Sequence, residues 1–260
     1  MPVSRLSDAR LAALREEVRA IENAGRAAEG RGSLPFGLEA VDGRLAGGGL
    51  AGAGLHEVAG ATPAPGDDAA ATLFLAASAA CFAIAEGAGI VLWALARRDL
   101  FAPGLAQAGL APGRLIYAEC RRDEEVLAVM EEGLRHGGLA AVVGEIGRAG
   151  MAATRRLQLA AEEGGTPALM LRRWRRADCN PLGPPSAAFT RWRIACAPSE
   201  RLAVAGLGRA RWRVELARQR GGAPHSWILE APDAEARLAL PSEPGGRADQ
   251  AGGARRLRAA

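Results

Sequence analysis

Residues 54–76 read GLHEVAGATPAPGDDAAATLFLA. Leu55 to Ala59 is a short apolar run of strand length, broken at Gly60. A loop of Ala, Thr, Pro and Gly follows, and from about Asp68 an Ala-rich stretch continues as a helix to about Glu86, with Gly87 as its stop. Strand, glycine-containing loop, helix is the layout in which backbone N–H groups and a lysine hold nucleotide phosphates. The chemistry of that loop is missing here. The pattern needs G-x-x-x-x-G-K-[ST], but Gly60 and Gly66 stand one residue too far apart, and Asp67 and Asp68 follow Gly66. Two carboxylates at that position repel a triphosphate. No lysine can be borrowed from elsewhere, because the chain has none: all 33 basic residues are arginine. The stretch has the scaffold of a nucleotide-binding fold with a degenerate site at Gly60, Gly66, Asp67 and Asp68, and no cofactor is expected.

The flanking sequence supplies the rest of an α/β domain. Apolar runs at Ile90–Leu95, Arg114–Ala118, Leu139–Val143 and Ala168–Leu171 alternate with helical patterns at Leu100–Ala108, Arg122–His136 and Gly150–Glu163. Apolar strands alternating with helices predict a mostly parallel sheet covered on both faces. After Arg172 the grammar changes. Residues 177–187 hold three prolines and form an irregular loop. Phe189–Cys196, Arg211–Ala217, Ser226–Glu230 and Arg237–Leu240 alternate with period two, as antiparallel strands do.

Upstream, Ser7 and Asp8 can cap a helix reaching about Glu29, with Leu11, Leu14, Val18 and Ile21 as one apolar stripe. We read 1–32 as an N-terminal helix and linker, 33–240 as the core, and 241–260 as a disordered tail. The stripe is a candidate docking surface for a partner or for self-association; packing on its own core is the other reading.

The 260 residues carry a formal charge of +4, enough hydrophobic content for one core, and four cysteines without a C-x-x-C pair. A zinc site and a disulfide framework are not expected, and the cysteines suit a reducing cytoplasm. The first residues lack the apolar core of a signal peptide, and no uninterrupted apolar run reaches the length of a membrane span. Ser78 and Ser186 have no His–Asp grammar for a hydrolase triad, and the acids Glu119, Asp123, Glu124 and Glu125 suit a helix N-terminus.

Arginine is concentrated between residues 172 and 220, where three tryptophans each lie between arginines: Arg173-Trp174-Arg175, Arg191-Trp192-Arg193 and Arg211-Trp212-Arg213. Basic grooves with interleaved aromatics bind single strands. Arg172, Arg173, Trp174, Arg175, Arg176, Arg191, Arg193, Arg211 and Arg213 are therefore DNA- or partner-binding candidates. The alternative is structural. Trp192 shares a strand face with Ile194, and Trp212 shares one with Val214 and Leu216, so both read as core, leaving Trp174 as the surface candidate.

This order of elements resembles the core of the RecA recombinases. GLHEVAG stands where that family has its P-loop strand, LAAVVGEIG where it has its Walker B strand, and the Pro/Gly loop near its second DNA-binding loop. More closely, SLPFGLEAVDGRLAGGGLAGAGLHEV (33–58), PSAAFTRWRI (185–194), GLGRARWRVELARQRGG (206–222) and HSWILE (225–230) resemble the ImuA family. These are RecA-like, SulA-related accessory proteins encoded beside the Y-family-like ImuB and an error-prone polymerase subunit. The resemblance implies a role in SOS-induced translesion DNA synthesis and binding to an ImuB-like partner. RecA and single-stranded DNA are further candidates. It also exposes departures from active RecA. The Walker B position is Gly144 followed by Glu145, which, counted from the family pattern, puts the acid on the wrong face of its strand. No glutamate stands in LWALARRDLF. A non-catalytic protein is the expectation, with a divergent DNA-dependent ATPase or a SulA-like division inhibitor as alternatives.

Overall fold

The computed structural model describes residues 32–241 apart from 88, 200–205 and 207. The expected N-terminal helix, with Leu11, Leu14, Val18 and Ile21, and the tail from 242 lie outside the described residues.

The described chain is an α/β domain whose mainly parallel sheet is flanked by helices and ends in antiparallel strands. Its elements are β1 (Ser33–Leu34), α1 (Glu39–Asp42), β2 (Leu50–Ala51), β3 (Leu55–Gly60), α2 (Pro65–Ala85), β4 (Val91–Leu95), α3 (Ala102–Gln107), β5 (Leu115–Glu119), α4 (Asp123–His136), β6 (Ala141–Ile146), α5 (Met151–Gly164), β7 (Ala168–Arg172), β8 (Thr190–Ala197), β9 (Arg211–Gln219) and β10 (His225–Glu230). The eight-stranded sheet has the order β10-β9-β8-β3-β7-β6-β4-β5. Pairing is parallel from β8 through β5 and antiparallel from β8 to β10. In chain order β3 connects to β4, three places to one side, whereas its neighbour β7 connects to β8 on the other side, so the connections diverge between β3 and β7. That switch is where open α/β sheets form a crevice at the carboxyl ends of their strands.

One helix dominates one face. α2 begins at Pro65, three residues earlier than its apolar run suggested, because proline suits the first turn and Asp67 and Asp68 favour the positive end of the helix dipole. Its small side chains let it lie close on the sheet. By length and composition it is apolar enough to cross a membrane, yet here it packs on β3, β4, β6, β7 and β8 as the core's central helix. Gly87, with φ +63°, turns the chain out of it. On the other face α4 and α5 bury Val126, Met130, Leu134, Leu157 and Ala161 against β3, β6 and β7. The two faces thus have separate cores, as alternation along fully buried strands requires.

Two expectations change. β8 is not purely antiparallel: it joins β3 in parallel, with Val58 opposite Trp192, and turns antiparallel only towards β9. Arg237–Leu240 does not form a strand, because the chain turns at Ala236, at φ +63°, and makes only an isolated bridge from Ala239 to Glu230. Trp192 and Trp212 are core residues, 1 % and 2 % exposed.

Candidate functional site: a self-occupied crevice

At the carboxyl end of β3, Gly60 lets the first turn of α2 come close. A Cβ there would stand 3.0 Å from the Asp67 carbonyl carbon and 3.1 Å from the Asp68 nitrogen. The loop that follows has the course of a phosphate cradle, but its donors ahead of the helix are spent or missing. Ala61 N–H donates to the Ile194 carbonyl at 2.7 Å, Thr62 N–H to Asp67 Oδ2 at 3.1 Å, and Ala64 N–H to Thr62 Oγ1 at 3.2 Å. Pro63 and Pro65 have no N–H to offer. From Ala61 to Pro65 every backbone donor is either absent or engaged within the protein. Asp67 takes one of these donors directly. Its Oδ2 also accepts from Thr62 Oγ1 at 2.6 Å, and its Oδ1 accepts from the Cys196 N–H on β8 at 2.8 Å. Asp67 is therefore turned inward, tying the loop to its own helix and to β8.

Asp68 faces the crevice, where an arginine meets it. Arg173, one residue beyond β7, donates through Nη1 to Asp68 Oδ2 and, at 3.3 Å, to Thr72 Oγ1 on the next turn of α2. Its Nε and Nη2 donate to Glu145 Oε2 at 2.9 and 2.8 Å, and Nη2 lies 3.8 Å from Asp99 after β4. The other oxygen of Glu145 accepts from the Trp93 indole at 2.9 Å. Burial opposes the charge on Arg173, but Glu145 and Asp68 outweigh it and hold the guanidinium more basic than usual. Glu145 thus points to the α2 face. The expectation that it points away counted from a family pattern; within this strand Gly144 packs towards Met130 of α4, and Glu145 alternates to the other side. Trp174 completes the closure, its indole N–H donating to the Gly60 carbonyl at 2.9 Å.

Arg172, the preceding residue, takes the opposite face. Its Nη1 donates to Glu57 Oε1 at 2.8 Å, and Arg191 Nε donates to Glu57 Oε2 at 2.6 Å. All three side chains are buried, so one carboxylate is shared by two guanidiniums. Burial pulls the basicity of Arg172 down, with Glu57 opposing it and the Arg191 charge adding to it. Arg172 Nε and Arg191 Nη2 are buried without a partner among the described residues.

The sequence-derived candidates therefore separate. Arg172 and Arg173 are internal, which removes them from any exposed cluster at 172–176. Arg175 pairs with Asp123 at 2.7 Å and Arg176 with Asp178 at 3.2 Å, both on the exposed side. Arg193 makes both its contacts with Glu215, at 3.0 and 3.1 Å, and Arg211 reaches Glu230 at 3.5 Å. Arg213 is exposed. Sequence reasoning missed Glu57, Trp93 and Asp99. Only Glu57 carried a signal, an acid inside an otherwise uncharged strand, which demands a buried partner.

No family model matches the chain. Against curated proteins, it is 43% identical over 206 residues to Protein ImuA of two Caulobacter vibrioides strains, NA1000 / CB15N and ATCC 19089 / CIP 103742 / CB 15, covering 77% of this chain and 84% of each relative. At that identity and coverage, this chain belongs to the ImuA family.

Proposed function

We propose that this protein is a non-catalytic accessory factor of SOS-induced, error-prone translesion DNA synthesis, working in the cytoplasm by binding partners rather than by turning over a nucleotide. The observation that carries this reading is the position of Arg173. A nucleotide site needs a cation between the helix at the loop and an acid on a nearby strand, and free N–H groups for the phosphates. Here a guanidinium covalently part of the chain joins Asp68 to Glu145, and the N–H groups of Ala61, Thr62 and Ala64 are engaged within the protein. The partner this family membership suggests is an ImuB-like Y-family polymerase homologue, with RecA a further candidate.

The test is a titration of a fluorescent ATP analogue with magnesium, together with phosphate release with and without single-stranded DNA. We expect no saturable binding in the micromolar range and no turnover. The position of Glu145 on the α2 face keeps a divergent ATPase as the competing reading. Micromolar binding, or phosphate release abolished by Glu145→Gln, would overturn the non-catalytic assignment.

A further inference from the structure

The Arg172–Arg176 cluster is largely spent within the fold, yet another arginine surface is open. On the side of the sheet that bears α4 and α5, β8 carries Arg191, buried on Glu57, and Arg193. The outward residues of β9 are Arg211, Arg213, Glu215 and Arg218. Register places Arg191 beside Arg218, Arg193 beside Glu215, Glu215 beside Ser226, and Arg213 beside Ile228. Exposure of Arg213, Arg218, Ser226 and Ile228 shows that no described helix covers this part of the sheet. Guanidiniums outnumber carboxylates on it. Arg193 and Glu215 cancel each other, but Arg218 donates to the Ser186 carbonyl and Arg220 to the Ala187 carbonyl, so their charges remain. Arg213 has no partner among the described residues. Beneath the same face the Glu57 cluster carries one guanidinium more than it has carboxylates, and Arg191 Nη2 is an unmet donor.

We propose that the outer face of β8–β9–β10 binds the phosphodiester backbone of a single-stranded nucleic acid. The charge selects an anion, and guanidinium forks suit phosphate oxygens. The face also discriminates between anionic partners. A protein interface depends on aromatic or aliphatic anchors near its centre. Here the outward side chains of β9 and β10 include one large exposed apolar residue, Ile228. Diffuse positive charge without anchors fits a polyanion. Without exposed aromatics on these strands the bases have no stacking platform, so the contact reads phosphates and is insensitive to sequence. Three strands about 4.8 Å apart span roughly 10 Å, a width suited to one backbone.

The inference deepens the reading of the chain as a binding protein. DNA binding can fail while ATP still does not bind, so the two are separable. The experiment is fluorescence anisotropy of the full chain with a labelled 20-nucleotide oligo(dT), titrated from 50 to 300 mM KCl. We expect affinity to fall linearly in log–log form. The slope should shrink by about 2 in the Arg213→Gln/Arg218→Gln/Arg220→Gln variant, at about 0.7 per lost phosphate contact. Arg213→Gln alone, which disturbs no described contact, should account for about 0.7 of it. Arg121→Gln, at the far edge of the sheet, should change nothing. The proposal is overturned by any of three results: no binding at 50 mM KCl, an unchanged slope in the triple variant, or equal competition by polyglutamate at matched charge. The last would assign the face to an acidic protein. Tighter binding of a duplex of the same length would overturn the single-strand assignment.

Discussion

The imidazole of His56 stands at the end of a chain of donors that only its neutral form completes. Trp192 Nε1–H donates to Thr190 Oγ1 at 2.7 Å, and that hydroxyl lies 2.7 Å from His56 Nδ1. Nε2 lies 2.9 Å from the Ala51 carbonyl, which can only accept. Nε2 therefore carries the proton, Nδ1 accepts from Thr190, and Thr190 accepts from Trp192. Protonating Nδ1 would turn it into a donor and take from the Thr190 O–H the acceptor it has in the neutral form. Burial pushes the imidazole down to about 4, against the opposing pull of the Ala51 carbonyl. A histidine whose folded value is depressed contributes stability that is fully present above its unfolded value of about 6.5 and is lost as pH falls towards the folded value. Between pH 7.5 and 4.5 the wild type should lose about 2–3 kcal/mol more than His56→Gln, measured by urea unfolding at both pH values. Parallel losses would show that this ring does not govern the acid limb. In the sequence His56 reads as a satisfied or exposed strand residue. Its burial was not legible, because its partner Thr190 is 134 residues away.

At the scale of the element, the end of β7 does the most. Strand alternation sends Arg172 and Arg173 to opposite faces, so two adjacent residues neutralise acids in both layers. Breaking one partner out of a buried charge cluster leaves the others uncompensated, at a cost of about 3–5 kcal/mol. Arg173→Met should lower stability by that amount in chemical denaturation. Adding Asp68→Asn and Glu145→Gln should recover much of it, because no acid is then stranded. A triple variant no more stable than the single one would show that Arg173 acts by packing. The strands themselves were readable: apolar runs placed β4 to β7 within a few residues. The pairing of β8 with β3 was not, since alternation along a strand shows which side chains share a face but not which neighbour supplies the hydrogen bonds. The inward turn of Asp67 was equally hidden, because the Cys196 N–H it accepts from belongs to a distant strand.

At the scale of the molecule, the apolar stripe Leu11, Leu14, Val18 and Ile21 lies outside the described residues, and its helical spacing gives it one face to bury, on a partner or on its own core. We expect deletion of residues 1–29 to change the melting temperature by less than about 4 °C, equivalent to roughly 1 kcal/mol for a domain of this size. We expect it to abolish co-purification with an ImuB-like or RecA-like protein, or self-association. A large drop in melting temperature with partner binding retained would assign the stripe to the protein's own core. The α/β class and the missing lysine were plain in the residues. The meeting of Arg173 with three acids was not, because it needs four chain segments to be brought together: Asp68, Asp99, Glu145 and Arg173.

That arrangement bears on what building a nucleotide motif into this crevice would take. Writing a lysine and a threonine over Asp67 and Asp68 would spell the last letters of a nucleotide motif, but the surroundings no longer match the spelling. Thr62 and the Cys196 amide would lose their acceptor, the loop would still be one residue too long, and the guanidinium of Arg173 would still stand against Glu145. Each of these would need its own repair, and no single repair gains anything until the rest are made. A nucleotide motif is therefore not one or two substitutions away in this crevice; it demands several changes at once.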